Sequence, residues 1–408
     1  MNAPCEAPAI ARVNTHGLGF TLFLGALVAL PSLSIDMALP SLGQIGADLQ
    51  APQTKAAATI AIFVAGFSTA PIVVGPIADR YGRKAVMLAA LALFTLTAAA
   101  AAVAPSIDLL LGLRLVQGAS AGAVGILPRA IIRDLFEGRE ARMHLAAVSV
   151  VFGAAPLIAP TLGAGILYFG SWRLIFVVLT AVGVLTTAAA LMFDESHPVE
   201  SRRSLRPSMI VAGYKRALTN PACVGFSLLG GLLFAGLFAY VNVSPLLFIE
   251  GYGVSKPQFA GLFAITGSGV VAGSAINAWL IRRHARARTV MDVSMGVAAV
   301  TALALFAVGL AGMGSALLVA AMVMIYICAF GLIFPNAVHE AIHPLPEIAG
   351  VTSAIVTTTQ MLFGALGGLA AATFYSGASP TDLGAIMSVA AVSAAALYAF
   401  WLRRKVGA

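Results

Sequence analysis

The amino-acid sequence predicts an all-α integral membrane protein, with twelve transmembrane helices in two pseudo-symmetric six-helix bundles. The 408-residue chain is 60% hydrophobic and only 10% charged, and its mean hydropathy is +0.96. Long uncharged runs recur along it, each reaching the roughly 20 residues that a helix needs to cross a bilayer. These runs do not alternate in polarity as the strands of a membrane barrel do, so helices are favoured.

The apolar runs can be assigned to spans in chain order. We place the spans near 17–39, 54–78, 85–104, 108–131, 142–168, 172–193, 221–248, 257–281, 289–311, 315–338, 348–375 and 381–402. One long polar connection separates them six and six. The predicted organisation is an N-terminal half over 1–193, a cytoplasmic linker over 194–220 and a C-terminal half over 221–408. All other loops are short, which leaves no separate soluble domain.

The positive charge is distributed unevenly across the predicted membrane. The net charge is +8, and lysines and arginines cluster in alternate loops and near both termini. The opposite side carries only Lys55, Arg173 and Lys256. By the positive-inside rule both termini are expected to be cytoplasmic, and the charge reports topology rather than a nucleic-acid partner.

The residues that usually carry metal or redox chemistry form no pattern here. Cys5, Cys223 and Cys328 lack paired spacing, and the histidines fall in loops or at span ends. We therefore expect no metal site, no cofactor and no catalytic residues.

A single aspartate interrupts the first apolar run. Asp36, in the stretch SLSIDMALP, is the only charged residue between Gly17 and Ala47. One interpretation is a cap at the outer end of the helix, just before Pro40. The other is a carboxyl group that faces a cavity between the halves and alternately holds and releases a proton.

The loop between spans 2 and 3 contains the strongest local motif, GPIADRYGRK. The loop between spans 8 and 9, IRRHARA, repeats it weakly at the equivalent place in the second half. Physically, Gly75 would let a neighbouring helix approach, Asp79 would pair with Arg83, and Gly82 would permit a tight turn. A simpler interpretation makes the basic residues topogenic charges only.

This motif resembles the G-x-x-x-D-R-x-G-R-[RK] loop of the major facilitator superfamily. The resemblance implies the fold of that superfamily, and a conformational latch on the cytoplasmic side. The latch residues implied by the match are Gly75, Asp79, Arg80, Gly82, Arg83 and Lys84.

The fourth span carries Arg114, Gln117 and Gly118 in an R-x-x-Q-G pattern, similar to the span-4 motif of the same superfamily. The resemblance implies a role for Arg114 in proton coupling. Arg114 would also be the natural counter-charge for Asp36. Alternatively Arg114 extends to the outer headgroups, because a buried charge costs roughly 2.5–3.5 kcal/mol on insertion scales.

The fifth span reads GAAPLIAPTLGAG and contains Gly153, Pro156, Pro160 and Gly163. It resembles the antiporter motif of the superfamily, and more narrowly the bicyclomycin-resistance (Bcr/CflA) exporters. Further matches to that subfamily include DMALP, SWRLIF, VSPLLF and GLIFPNA. The alternative is an ordinary helix kinked by its prolines.

The resemblance implies a proton-coupled efflux antiporter for amphipathic drugs or similar small molecules, monomeric and located in a bacterial inner membrane. Its partners would be the substrate, protons and the bilayer, and its energy source the proton gradient. Candidate residues of the substrate cavity are Asp36, Met37, Gln117, Phe238, Asn242, Phe334 and Asn336, of which the apolar ones are equally compatible with simple packing. Two alternatives remain: a carrier of one metabolite, such as a sugar, amino acid or siderophore, and a membrane-embedded sensor or enzyme.

Overall fold

The computed structural model describes residues 18–136, 138–196, 207–375 and 379–406. Across these ranges the secondary structure is helical, without a strand. Cys5 and the part of the predicted linker from 197 to 206 lie outside them.

The helices follow the predicted order, with two short additions. In the first half they are α1 (Leu18–Asp36), α2 (Leu42–Asp48), α3 (Gln53–Tyr81), α4 (Arg83–Ala102), α5 (Ile107–Leu135), α6 (Gly138–Phe169) and α7 (Arg173–Leu191). In the second they are α8 (Pro207–Thr219), α9 (Pro221–Pro245), α10 (Lys256–Arg282), α11 (Ala287–Leu310), α12 (Ala316–Ile342), α13 (Ala349–Phe374) and α14 (Thr381–Leu397). The short helices α2 and α8 were not predicted.

Short non-α turns extend or join these helices. π-helical turns continue α9 over Leu246–Gly251 and α14 over Tyr398–Leu402. 3₁₀ turns lie at Leu39–Ser41, Pro346–Ile348 and Arg403–Lys405.

The number of membrane crossings agrees with the prediction. In the described ranges, 11 helical segments are long and apolar enough to span a bilayer, α1 and α2 counting as one. The twelfth crossing is α6, which has 32 residues and a described apolar stretch over Ala154–Phe169. Twelve crossings put the start of α1, the α3–α4 turn, α8 and the end of α14 on one side, which we call the basic side; the opposite side is the far side.

The same helix pairings recur in the two halves. In the first half α1 packs on α5 and α6, α3 on α5, and α4 on α5 and α7. In the second, α9 packs on α12 and α13, α10 on α12, and α11 on α12 and α14. The halves meet where α3 packs on α13 and where α6 packs on α10. Because α3 corresponds to α10 and α6 to α13, these two contacts are equivalent under the pseudo-symmetry. The predicted architecture of two pseudo-symmetric six-helix bundles is thus confirmed.

Small residues allow the helices to approach closely where they cross. A Cβ atom at Gly118 of α5 would overlap the backbone carbonyl of Phe63 in α3, and one at Gly367 of α13 would overlap that of Ala235 in α9. Close packing of this kind is a main source of helix association in lipid, where burial of apolar surface supplies little driving force.

Candidate functional site

Asp36 is the last residue of α1, and its side chain is enclosed by protein. It is 6% exposed, and no hydrogen bond or ion pair from another described residue reaches its carboxyl group. The chain leaves the α-helix immediately afterwards, because Pro40 directs Leu39–Ser41 into a 3₁₀ turn. The break places a buried, unpartnered acid at the far-side end of α1.

Arg114 of α5 is fully buried, with 0% exposure, so it does not extend to the headgroups. Its Nη2 donates to the carbonyl oxygen of Ser34 at 2.9 Å, and its Nη1 donates to Oε1 of Gln117 at 2.7 Å. Its Nε donates to the carbonyl oxygen of Thr59 at 3.4 Å. The guanidinium also lies 4.2 Å from the centroid of the Phe63 ring, a cation–π distance.

These contacts differ from the direct pair expected between Asp36 and Arg114. Within the described residues the two side chains form no ion pair; Arg114 instead reaches α1 through Ser34, two residues before Asp36. Arg114 is therefore tied to the end of α1 that carries Asp36, while the Asp36 carboxyl group has no ion-pair partner among the described residues. The spacing in sequence could not reveal this, because carbonyl acceptors carry no residue-type signal.

The prolines and glycines predicted for span 5 all lie in α6, which stays helical through Pro156 and Pro160. The surroundings of Gly153 lie outside what the structure describes. Gly163 is buried, and a Cβ atom there would overlap the backbone carbonyl of Met37. The glycine therefore allows α6 to pack directly on the residue that follows Asp36.

The other predicted cavity residues are covered in this arrangement of the helices. Met37, Gln117, Phe238, Asn242 and Asn336 are buried, and Phe334 is partly buried. These residues do not all contact one another. Some lie between helices of one half, and others lie between the two halves.

Asn336 and Phe334 are committed to packing within the second half. The Nδ2 of Asn336 donates to Oδ1 of Asn277 at 2.8 Å and to the carbonyl oxygen of Leu332 at 2.9 Å, which ties α12 to α10. Phe334 stacks on Phe330 with their ring centroids 5.2 Å apart. These two contacts explain both side chains without a substrate.

The predicted latch centres on Arg83, at the start of α4. Its side chain is 4% exposed and pairs with Asp79 at 2.6 Å and with Asp134 at 2.9 Å. Gly82, with φ at +97°, forms the one-residue turn between α3 and α4, a conformation that favours glycine. The cluster joins the ends of α3, α4 and α5 on the basic side.

Glu195, which follows α7, completes this cluster. Its Oε1 accepts from the backbone N–H of Arg83 at 2.8 Å, and its Oε2 accepts from that of Lys84 at 3.2 Å. Lys84 donates from Nζ to the carbonyl oxygen of Leu191 at 3.0 Å. An anion at the N-terminus of a helix satisfies N–H groups that lack partners and complements the helix dipole.

One expectation for the latch needs correction, while the part of Arg80 in it stays a prediction. Gly75 does not admit a close neighbour, because a Cβ atom there would meet nothing within 4 Å. Arg80 is exposed and lies 5.4 Å from the ring of Tyr81. Sequence reasoning also missed Asp134 and Glu195, two acids at helix ends on the basic side whose position among arginines was the available signal.

The second half carries a related cluster with the charges exchanged. Asp292 of α11 pairs with Arg403 at 2.8 Å and accepts from the Tyr398 hydroxyl at 2.9 Å. In the first half the acid follows α7 and meets the start of α4; here the base follows α14 and meets the start of α11. The two clusters occupy equivalent helix pairs.

Residues 22–368 match the model of the Major Facilitator Superfamily, a range that includes the α3–α4 turn, Arg114 and α6. The chain belongs to the Major Facilitator Superfamily. It is accordingly a transport protein rather than an enzyme.

Curated members of the superfamily resemble the chain along most of its length. The MFS-type transporter YdgK of Bacillus subtilis is 30% identical over 396 residues, covering 96% of this chain and 97% of YdgK. A bicyclomycin resistance protein homolog of Haemophilus influenzae is 29% identical over 352 residues, covering 86% and 87%. Multidrug resistance protein D of Escherichia coli is 25% identical over 350 residues, covering 85% and 86%. The resemblance to the bicyclomycin-resistance group is thus confirmed.

Solved structures of the Major Facilitator Superfamily share the fold. The nucleoside transporter NupG superposes with a TM-score of 0.75 at 15% identity, covering 95% of this chain and 100% of NupG. A bacterial homolog of the human lysosomal transporter Spinster gives 0.73 at 15% identity, covering 96% and 98%. At this identity the likeness concerns the fold alone.

Proposed function

We propose that the protein is a proton-coupled efflux antiporter that exports amphipathic drugs or similar small molecules by alternating access. The names of its relatives support a role in drug resistance. The α6 sequence supports antiport, because it resembles the antiporter motif. The arginine-rich basic side supports a cytoplasmic location for both termini in the inner membrane. We propose a monomer that needs no cofactor and uses the proton gradient alone.

The observation that carries the proposal is the burial of the Asp36 carboxyl group without a partner among the described residues. A buried carboxyl group with no described partner pays the full cost of ionisation unless a charge or water reaches it. It can hold a proton in one arrangement of the halves and lose it in another. Such a group can link the movement of a proton to the movement of a substrate.

Arg114 supplies the charge that makes release possible. Its guanidinium is fixed on the Ser34 carbonyl at 2.9 Å, so it sits on the same helix end as the acid. When α1 shifts against α5, the carboxylate can gain this positive neighbour as its proton leaves. Reprotonation from the far side then resets the cycle after the substrate has been released there.

Antiport results because the proton and the substrate exchange at one site. Substrate entering from the basic side promotes loss of the proton from Asp36, and protonation of Asp36 from the far side promotes loss of the substrate. The gradient drives the cycle in the direction of export because protons enter from the side where they are more concentrated.

Proteoliposomes that contain the purified full-length chain test this proposal. Adding a transported compound should release protons from the wild-type protein, and Asp36→Asn should abolish that release while compound binding persists. The control is Asp108→Asn, which changes an exposed acid paired with Lys55 at 2.8 Å and should leave coupling intact. Unchanged coupled transport by Asp36→Asn would contradict the role of this residue. Transport restricted to one metabolite would favour the single-substrate alternative.

A further inference from the structure

Asn242 is a buried amide without a described hydrogen-bond partner. It lies near the far-side end of α9 with 0% exposure. Neither its Nδ2 nor its Oδ1 has a partner among the described residues. An unsatisfied donor or acceptor in a protein interior costs about 1–3 kcal/mol, so both ends of this side chain call for an explanation.

Two other buried polar side chains of the second half avoid this cost. Ser227, also in α9, donates to the carbonyl oxygen of Cys223 at 2.6 Å. Asn336 of α12 uses both Asn277 and a carbonyl of its own helix. Local carbonyls are the usual partners of short polar side chains in helices, and Asn242 does not use one. Its isolation therefore follows from where its side chain points, and not from its residue type.

The side chain of Asn242 lies next to the interface between the two halves. A side chain at Gly368 of α13 would collide with Asn242 Nδ2 and would also meet Cβ of Ala61, in α3 of the first half, at 3.4 Å. One turn earlier in α9, Phe238 lies against Gly364 of α13. The amide thus lies against α13 of its own half, beside the point where α13 meets α3 of the other half.

Relative movement of α3 and α13 would uncover this amide. Alternating access requires the two halves to rearrange, and α3 with α13 is one of the two helix pairs that join them. The amide would then open onto the space between the halves, beside Phe238, Gly364 and Gly368. A donor and an acceptor held side by side there would orient a ligand by hydrogen bonding.

We propose that Asn242 binds the substrate, and that it selects compounds with a neutral group that both donates and accepts hydrogen bonds, such as an amide, lactam or hydroxyl pair. A quaternary ammonium group cannot accept from Nδ2, and a carboxylate group cannot donate to Oδ1. A neutral group with both functions can satisfy the two ends of the amide at once. The inference rests on the proposed export function and narrows its substrate class.

Binding to the purified full-length protein in detergent tests this inference without a proton gradient. The probes are chloramphenicol, which is neutral and carries an amide and hydroxyl groups, and tetraphenylphosphonium, a cation with no hydrogen-bonding group. Asn242→Leu should weaken chloramphenicol binding about tenfold or more, the equivalent of one lost buried hydrogen bond to the ligand, and leave tetraphenylphosphonium binding unchanged. Ser227→Ala, a buried polar change in the same helix, should alter neither.

Several results would overturn the inference. They are wild-type affinity for chloramphenicol in the Asn242→Leu variant, equal loss of both probes, and a wild-type protein that binds tetraphenylphosphonium alone or neither probe. Asn242→Ala repeats the test with a smaller side chain, and a monodisperse elution profile shows that each variant is folded. Failure of proton coupling in proteoliposomes would leave this binding result intact, so the two proposals fail separately.

Discussion

Gly163 of α6 packs directly on the backbone carbonyl of Met37, the residue that follows Asp36. A methyl group at this glycine would overlap backbone rather than the end of a flexible side chain. We therefore expect Gly163→Ala to separate α6 from the end of α1, and to destabilise the protein by about 1–3 kcal/mol, as overpacked sites do. Because Asp36 is adjacent, coupled transport should fall together with the thermal unfolding midpoint in detergent.

Gly165 provides the matched control, two residues further along α6. It is exposed, and a Cβ atom there would meet nothing within 4 Å. Gly165→Ala should keep wild-type transport, and it should slightly raise stability because alanine is the better helix former. Equal losses in both variants would mean that the effect comes from the helix itself and not from the contact with Met37.

Glu195 holds the start of α4 through the backbone N–H groups of Arg83 and Lys84. Replacing Glu195 by alanine removes a helix cap, a change that typically costs about 0.5–2 kcal/mol. We expect a lower unfolding midpoint for Glu195→Ala and a smaller decrease for Glu195→Gln, which retains an acceptor oxygen. Thermal unfolding of the purified variants measures this, and an unchanged midpoint for Glu195→Ala would show that the cap contributes nothing.

The contacts at Glu195 also show what the sequence could and could not predict. Twelve spans followed from hydropathy, because burial in lipid imposes long apolar runs, and the tight turn at Gly82 followed from a motif. Asp134 and Glu195 were missed since acids far apart in sequence meet only after the helices pack. The hydrogen bonds of Arg114 could not be predicted from the sequence either, because its acceptors include backbone carbonyl groups, which every residue provides.

Tyr214 of α8 links the connection between the halves to the first half. Its hydroxyl donates to the carbonyl oxygen of Ile72 in α3 at 3.3 Å, and partial burial raises its pKa, so it remains a donor at neutral pH. On the other side α8 is held to the second half by an ion pair from Arg216 to Glu347. The hydroxyl of Tyr214 is therefore a link that can be removed without detaching α8.

Replacing Tyr214 by phenylalanine removes this link and leaves the ring in place. A net hydrogen bond is worth about 0.5–1.5 kcal/mol, so amide exchange in α8 should accelerate roughly two- to tenfold. Hydrogen–deuterium exchange of peptides covering 207–219 measures the change. Tyr81→Phe, at an exposed tyrosine of α3, should leave the exchange of α8 as it is. Unaltered exchange in Tyr214→Phe would show that α8 is held by the second half alone.

The amide pair between Asn277 and Asn336 offers a quantitative test of buried polar contacts in this fold. Asn336→Leu removes the donor and leaves the Oδ1 of Asn277 buried without that partner, which should destabilise the protein by about 1–3 kcal/mol. Changing both residues to leucine removes the polar groups together and should restore part of the loss, since an apolar pair leaves nothing unsatisfied. The double-mutant cycle, followed by thermal unfolding, should therefore be non-additive. Additive losses would mean that the two amides stabilise α10 and α12 independently, and that their 2.8 Å contact contributes little.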